Sequence, residues 1–359
     1  MSNVTDYSLD IIQDQYSFIQ KSKFYNIYKE FDKPCKNYHV DKEASCPKTT
    51  LGDSSTPANV TDLLEKLYSN FYRVNVAYKP INNDYFGENL YEVEKIGCIC
   101  LKYWLYDQII TKGLQESEIK ELFNGYKNYI YGKITDIPQY YCNNNELSLN
   151  NIKNIKKIYA LNTFLHTYVT NFNNCNSNSC KYMEYFGEGL DEFINSIKKC
   201  SSDSSNNEYC NEFNEFLELC KKNNEYAGIS IYDENTKREA ETARKYFLFS
   251  EKYKNEQLYI YINDTELLNF VKTSDFLSNK NRTTIAATSI VGSAIGLSSF
   301  FYYFYKFTPF GRSLRKGKAK NIVNIDEGAH DSLLYTSNSE QAAFKNRKYN
   351  VAYHNFSDD

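Results

Sequence analysis

The stretch LYEVEKIGCICLKYWLYDQII, residues 90–110, decides how the chain is read. Leu90, Val93, Ile96, Cys100, Leu101, Trp104, Leu105 and Ile109 recur at three- and four-residue steps, which is the spacing of one face of an α-helix. A half-buried strand would alternate every second residue, and this segment does not. Cys98 and Cys100 lie two steps apart, a rotation of about 200° on a helix, so the two thiols are expected to face different partners.

Working outward from that helix, the same period recurs. Leu9, Ile12, Tyr16, Ile19, Ile27 and Phe31 form a broken stripe near the start, and Leu63, Leu64, Leu67, Tyr68 and Phe71 a second. On the C-terminal side come Ile119 to Ile130, then Ile152 to Phe172, Tyr182 to Ile197, and Phe213 to Cys220. Residues 240–253 also read as helix, and LYIYI at 258–262 reads as a short strand or a helix. Asn, Ser and Asp dominate the loops between, at 41–59, 142–151, 171–179 and 201–208. No repeat of solenoid length is present. The expectation is an all-α fold, with residues 1–282 forming one irregular multi-helix ectodomain.

Residues 283–305, TTIAATSIVGSAIGLSSFFYYFY, carry no charge. At 1.5 Å per residue they make roughly 34 Å of helix, enough for a hydrocarbon core of about 30 Å. The run ends in aromatic residues, which favour the membrane interface. Lys306, Arg312, Arg315, Lys316, Lys318 and Lys320 follow with no acid among them, whereas Lys280 and Arg282 stand against Asp275 on the other flank. This is the pattern of a transmembrane helix with a cytosolic tail at 306–359, its basic flank suited to anionic headgroups. Gly292 and Gly296 form a GxxxG pair through which two such helices could approach, although Gly and Ser are ordinary in membrane helices. No signal-peptide pattern is visible in the opening residues, so membrane entry would rest on the late span.

All ten cysteines precede the span: Cys35, Cys46, Cys98, Cys100, Cys142, Cys175, Cys180, Cys200, Cys210 and Cys220. Confinement to one side of a membrane suggests an oxidising compartment there, which makes all ten disulfide candidates. Cys35 with Cys46 and Cys175 with Cys180 are local candidates because each pair brackets polar loop sequence. The remaining connectivity is open, and free buried thiols are the competing reading.

The net charge is −3, from 42 Lys+Arg against 45 Asp+Glu. It divides as −6 over 1–282, zero over 283–305 and +3 over 306–359. Bulk charge of this kind gives no basis for nucleic-acid binding. No Walker loop, GxSxG elbow or HExxH helix occurs, and Gly187 and Gly189 in FGEGLDE lack the third glycine and preceding strand of a dinucleotide loop. Cys35, His39 and Cys46 lack the paired CxxC units of a zinc site. Carboxylates are spread along what read as solvated faces. The sequence therefore points to a chain with no catalytic site, no cofactor and no metal.

Five segments then carry a resemblance. They are SKFYNIYKEFDKPC (22–35), CLKYWLYDQI (100–109), YKFTPFGRSLRKGKAKN (305–321), NIDEGAHDSLLYTS (324–337) and NRKYNVAYHNFSDD (346–359). In this order they resemble the Plasmodium interspersed repeat family, most of all its Vir branch. Thr308, Pro309, Phe310, Gly311, Leu314 and Arg315 match the family's TPFG motif, and Tyr349, Asn350, Tyr353 and His354 match its closing segment. The resemblance implies a variant surface antigen of a malaria parasite, exported toward the infected red cell, with roles in immune evasion and host-cell adhesion. Its partners would be the lipid bilayer and a host receptor or antibody, with self-association through the membrane helix. The alternative is an intracellular, membrane-tethered scaffold or trafficking protein.

Overall fold

The structure is a computed structural model, and it describes residues 7–38, 40, 43–77, 83–134, 142–165, 180–201, 207–222, 229–232, 246–254, 256–262, 267–268, 270–271 and 274–277. The described residues all belong to one compact unit. The expected span at 283–305, with Gly292 and Gly296, lies outside them, as does the tail with Lys306, Arg312, Arg315, Lys316, Lys318 and Lys320. Among the described residues no helix is long and apolar enough to cross a membrane.

The broken first stripe is three short helices, α1 (Leu9–Gln15), α2 (Ser17–Gln20) and α3 (Lys23–Glu30). Serines explain two of the starts. Ser8 accepts a hydrogen bond from the Ile11 amide and Ser22 one from the Tyr25 amide, each satisfying an otherwise orphaned N–H. The remaining stripes become α4 (Ala58–Ala77), α5 (Leu90–Thr111), α6 (Glu116–Gly125), α7 (Leu149–Leu165), α8 (Met183–Cys200) and α9 (Glu208–Lys222). The Glu118 carboxylate reaches back to the Gln115 amide (2.8 Å) to open α6. Ser148 and Asn207 cap α7 and α9 as Ser8 and Ser22 cap theirs, accepting from the Asn151 and Cys210 amides. The stripe that begins α6 runs on into a turn of π-helix at Tyr126–Ile130.

α5 is the axis of the fold. It packs against α3, α4, α7 and α9. Every residue from Ile96 to Asp107 is buried, not only the stripe that defines its period. A helix enclosed on all sides needs no polar face, and this one has apolar or aromatic side chains around nearly its whole circumference. α7 and α8 share the most extensive helix–helix contact among the described residues. Gly189 allows it: a Cβ there would lie 2.4 Å from the Lys157 carbonyl oxygen. The glycine of the FGEGLDE segment is thus a close-approach residue between two helices, not part of a ligand loop.

The all-α expectation holds for most of the described chain and fails in one place. β1 (Ile229–Tyr232), β2 (Tyr246–Tyr253) and β3 (Glu256–Ile262) form an antiparallel sheet in the order β1-β3-β2. The helix read at 240–253 is therefore a strand over 246–253. Tyr253 pairs with Glu256 across a two-residue turn, and Lys254 has φ of 54°, as such hairpin turns require. YFLFSEKY and EQLYIYI are rich in aromatic and β-branched residues, which suit a pleated surface. The sheet contacts α9 through β1 and α8 through β2.

Candidate functional site

The KYWLYD segment of α5, residues 102–107, carries two charges, and the fold buries both. Lys102 Nζ lies 2.9 and 2.8 Å from the two oxygens of Glu212 on α9 and 3.0 Å from Glu215 Oε2. Tyr106 and Tyr159 donate to Glu212 Oε1 at 2.6 and 2.9 Å, and Asn145 Nδ2 donates to Oε2 at 2.8 Å. The Lys102 and Glu212 side chains are 1% and 0% exposed. Burial opposes the Lys102 charge, yet the two carboxylates outweigh it and hold its pKa above the ordinary lysine value. For Glu212 burial acts upward, and Lys102 with the surrounding donors overcomes it and holds the carboxyl low.

One turn further, Asp107 makes the second cluster. Its Oδ1 receives Lys156 Nζ of α7 at 2.5 Å, and its Oδ2 receives the Tyr28 hydroxyl at 2.6 Å and the Leu9 amide at 3.3 Å. Lys156 also donates to the Tyr7 carbonyl (3.3 Å), and Tyr7 stacks on Tyr185 at 4.2 Å. The start of the described chain is thus held in the core by one buried ion pair. Burial, and then the Asp107 charge, push the Tyr28 hydroxyl far above the ordinary tyrosine range.

A third cluster joins α3 to α4. Arg73, fully buried, donates to the carbonyls of Glu30 (2.9 Å) and Lys33 (3.4 Å) and to the Tyr38 hydroxyl and Asn70 Oδ1. Tyr38 in turn donates to Glu30 Oε1. These bonds fix the strand of chain that enters the Cys35–Cys46 loop. A smaller group links α8 to α9, with Tyr209 donating to Glu192 (2.6 Å).

Carboxylates expected on solvated faces are therefore core residues in several cases, Asp107, Glu212, Glu30 and Glu92 among them. The signal was present at Lys102 and Asp107: a charge inside an otherwise apolar helix has no solvated face to occupy. Their partners were not legible, since Glu212 lies 110 residues from Lys102. Chemically the clusters are closed. Glu212 and Asp107 each accept from several donors, and burial holds the tyrosine hydroxyls that contact them neutral. Such pairs set helix register more than they add net stability, and they are costly to break singly.

Cysteines reinforce the same joints. Cys35–Cys46 closes the loop after α3, Cys98–Cys142 ties α5 to the segment before α7, and Cys200–Cys210 joins the end of α8 to α9. With Cys35 and Cys46 bonded to each other, neither is open to a metal. Cys180 is also disulfide-bonded, while Cys175, and with it the expected Cys175–Cys180 pairing, lies outside the described residues. Cys100 and Cys220 depart from the expected pattern as free, buried thiols. The rotation between Cys98 and Cys100 supplies the reason: one faces Cys142 and the other is enclosed in the core, where burial pushes its thiol pKa well up.

The chain thus presents a disulfide-pinned, mostly helical domain whose charged core is sealed. Residues 262–355 match the model of the Plasmodium vivax Vir protein family. No curated protein and no solved structure matches the chain. The match supports membership of the Vir family, within the Plasmodium interspersed repeat group, and with it a Plasmodium variant antigen at the level of the family.

Proposed function

We propose that the chain is a non-enzymatic, single-pass membrane antigen that displays its helical domain outside the host cell and keeps residues 306–359 in the cytosol. The match of residues 262–355 to the Vir family carries this reading, because that segment contains the uncharged run and its basic flank. The described structure is consistent with a display scaffold. Disulfides and buried charge clusters fix the helices, so polar loops at 43–57 and near the Cys200–Cys210 bridge can change with little effect on packing. Immune evasion and contact with a host receptor or antibody would take place on such loops, and the bilayer and a second membrane helix would be the partners of the span.

Protease treatment of intact infected red cells, probed with antibodies to the helical domain and to the tail, tests the topology. The domain signal should disappear while a tail fragment persists. Survival of the domain signal would refute surface display and favour an intracellular tethered scaffold, as would recovery of all ten cysteines as free thiols.

A further inference from the structure

The chain is anchored in the core as far as Leu277. Phe276 and Leu277 lie in a single 3₁₀ turn at Asp275–Leu277, are buried, and pack with that turn against α8. The uncharged run begins six residues later, at Thr283. Whatever their conformation, six residues reach at most about 22 Å. The anchor also sits at one end of the helices. Phe270 and Phe276 each lie 6.2 Å from Phe164, one residue before the close of α7, and Phe164 stacks on Phe186 in the first turn of α8 at 4.8 Å. Phe18 of α2 completes this aromatic cluster, 5.9 Å from Phe164 and 6.0 Å from Phe270. The other end of α8, where Cys200 bonds Cys210 at the start of α9, is about 21 Å further along the helix from Phe186.

We propose that the domain stands on the bilayer without a stalk: the end built by α2, the close of α7 and the opening of α8 faces the phospholipid headgroups, and the Cys200–Cys210 end faces away from them. This rests on the reading of residues 283–305 as a membrane span. The short reach from Leu277 keeps the aromatic end near the membrane, because the buried turn cannot pay out more chain without leaving the core. Cations are available on that side. Lys181 is exposed at the opening of α8, its ammonium 5.1 Å from the Tyr182 ring, and Lys280 and Arg282 lie between the anchor and the span. Ammonium and guanidinium groups at this level suit lipid phosphates. The Cys200–Cys210 end is thereby the part of α8 and α9 offered to the outside, with Lys198 and Glu208 exposed on it.

Energy transfer to the membrane surface tests this. The full-length chain is reconstituted into phosphatidylcholine vesicles that carry an acceptor dye on the headgroups. A donor dye is introduced at Lys181 or at Lys198 through one non-natural side chain, which leaves the ten cysteines untouched. About 22 Å of α8 separates Met183 from Lys198, so transfer should be stronger from position 181 by about twofold or more. Equal transfer from the two positions, as from a domain lying on its side or swinging on a loose tether, overturns the proposal, and so does the reverse order. Asp275 and Glu208, both exposed, make a second near-and-far pair should a labelled chain fail to fold. Flotation of the vesicles after alkaline carbonate extraction reports insertion separately. Loss of the chain from the vesicles refutes the span and the proposal with it, whereas inserted chain with equal transfer refutes the orientation alone.

Discussion

Replacing Asp107 by Asn is the sharpest probe of the central helix. The substitution keeps the shape and removes the charge that faces Lys156 Nζ at 2.5 Å. Both side chains are almost wholly enclosed, at 1% and 2% exposure, so water cannot resolvate the stranded ammonium. The Tyr7 carbonyl at 3.3 Å would be a weak substitute partner. Tyr28 and the Leu9 amide would also donate to a neutral amide oxygen in place of a carboxylate. Breaking one side of a buried pair costs about 3–5 kcal/mol, and for a domain of this size the melting temperature should fall on the order of 10 °C. The sole tryptophan, Trp104, is buried three residues from Asp107, so its fluorescence in a urea titration reports the transition. The double variant Asp107→Asn with Lys156→Met removes both charges and should lose clearly less than the two single losses combined. A loss under about 1 kcal/mol in the single variant, or full additivity in the double, would show that the pair does not hold the helices together.

Three further outcomes are expected. Removing the Cys98–Cys142 bridge, which spans a sequence separation of 44, should cost about 4 kcal/mol by loop-closure entropy, read from the urea midpoint of a Cys98→Ala, Cys142→Ala variant. Gly189→Ala places a methyl group 2.4 Å from the Lys157 carbonyl oxygen and should cost about 1–3 kcal/mol as α7 and α8 are forced apart, seen as a lowered melting temperature. At alkaline pH, Tyr16, pushed up to about 12 by burial, and the fully enclosed Tyr103, Tyr106, Tyr159 and Tyr185 should resist ionisation. Because the native state holds these protons more tightly, their contribution is complete below the ordinary tyrosine value of about 10 and fades above it. Some of the chain's 34 tyrosines, Tyr91 among them, are exposed, so tyrosinate absorbance should rise in two steps, the later one together with unfolding, and a complete rise before unfolding would contradict the burial.

How much was legible depended on the range of the interaction. The helices around Leu63, Val93, Ile119, Ile152, Phe193 and Phe213 were readable because a 3.6-residue period is a local property. The Cys35–Cys46 bridge was readable for the same reason. Residues 246–253 were misread because Tyr246, Phe249 and Tyr253 also fall at three- and four-residue steps, and the strand state depends on pairing with β3. The buried clusters were missed because a charge on an amphipathic-looking segment is usually solvated. Lys102 is exceptional only because α5 is enclosed by four other helices.

The sequence by itself determined the helical content of the domain, the uncharged run at 283–305 with its basic flank, and the ordered motifs that point to the Vir family. These follow from spacing and composition, which need no partner to be read. Only the tertiary structure decided that KYWLYD is the polar hub of the core, that Cys98 bonds Cys142 while Cys100 stays a thiol, and that Glu215 shares the Lys102 ammonium with Glu212. Each of these depends on which face of one helix meets a residue tens of positions away, and that meeting is set by packing of the whole domain.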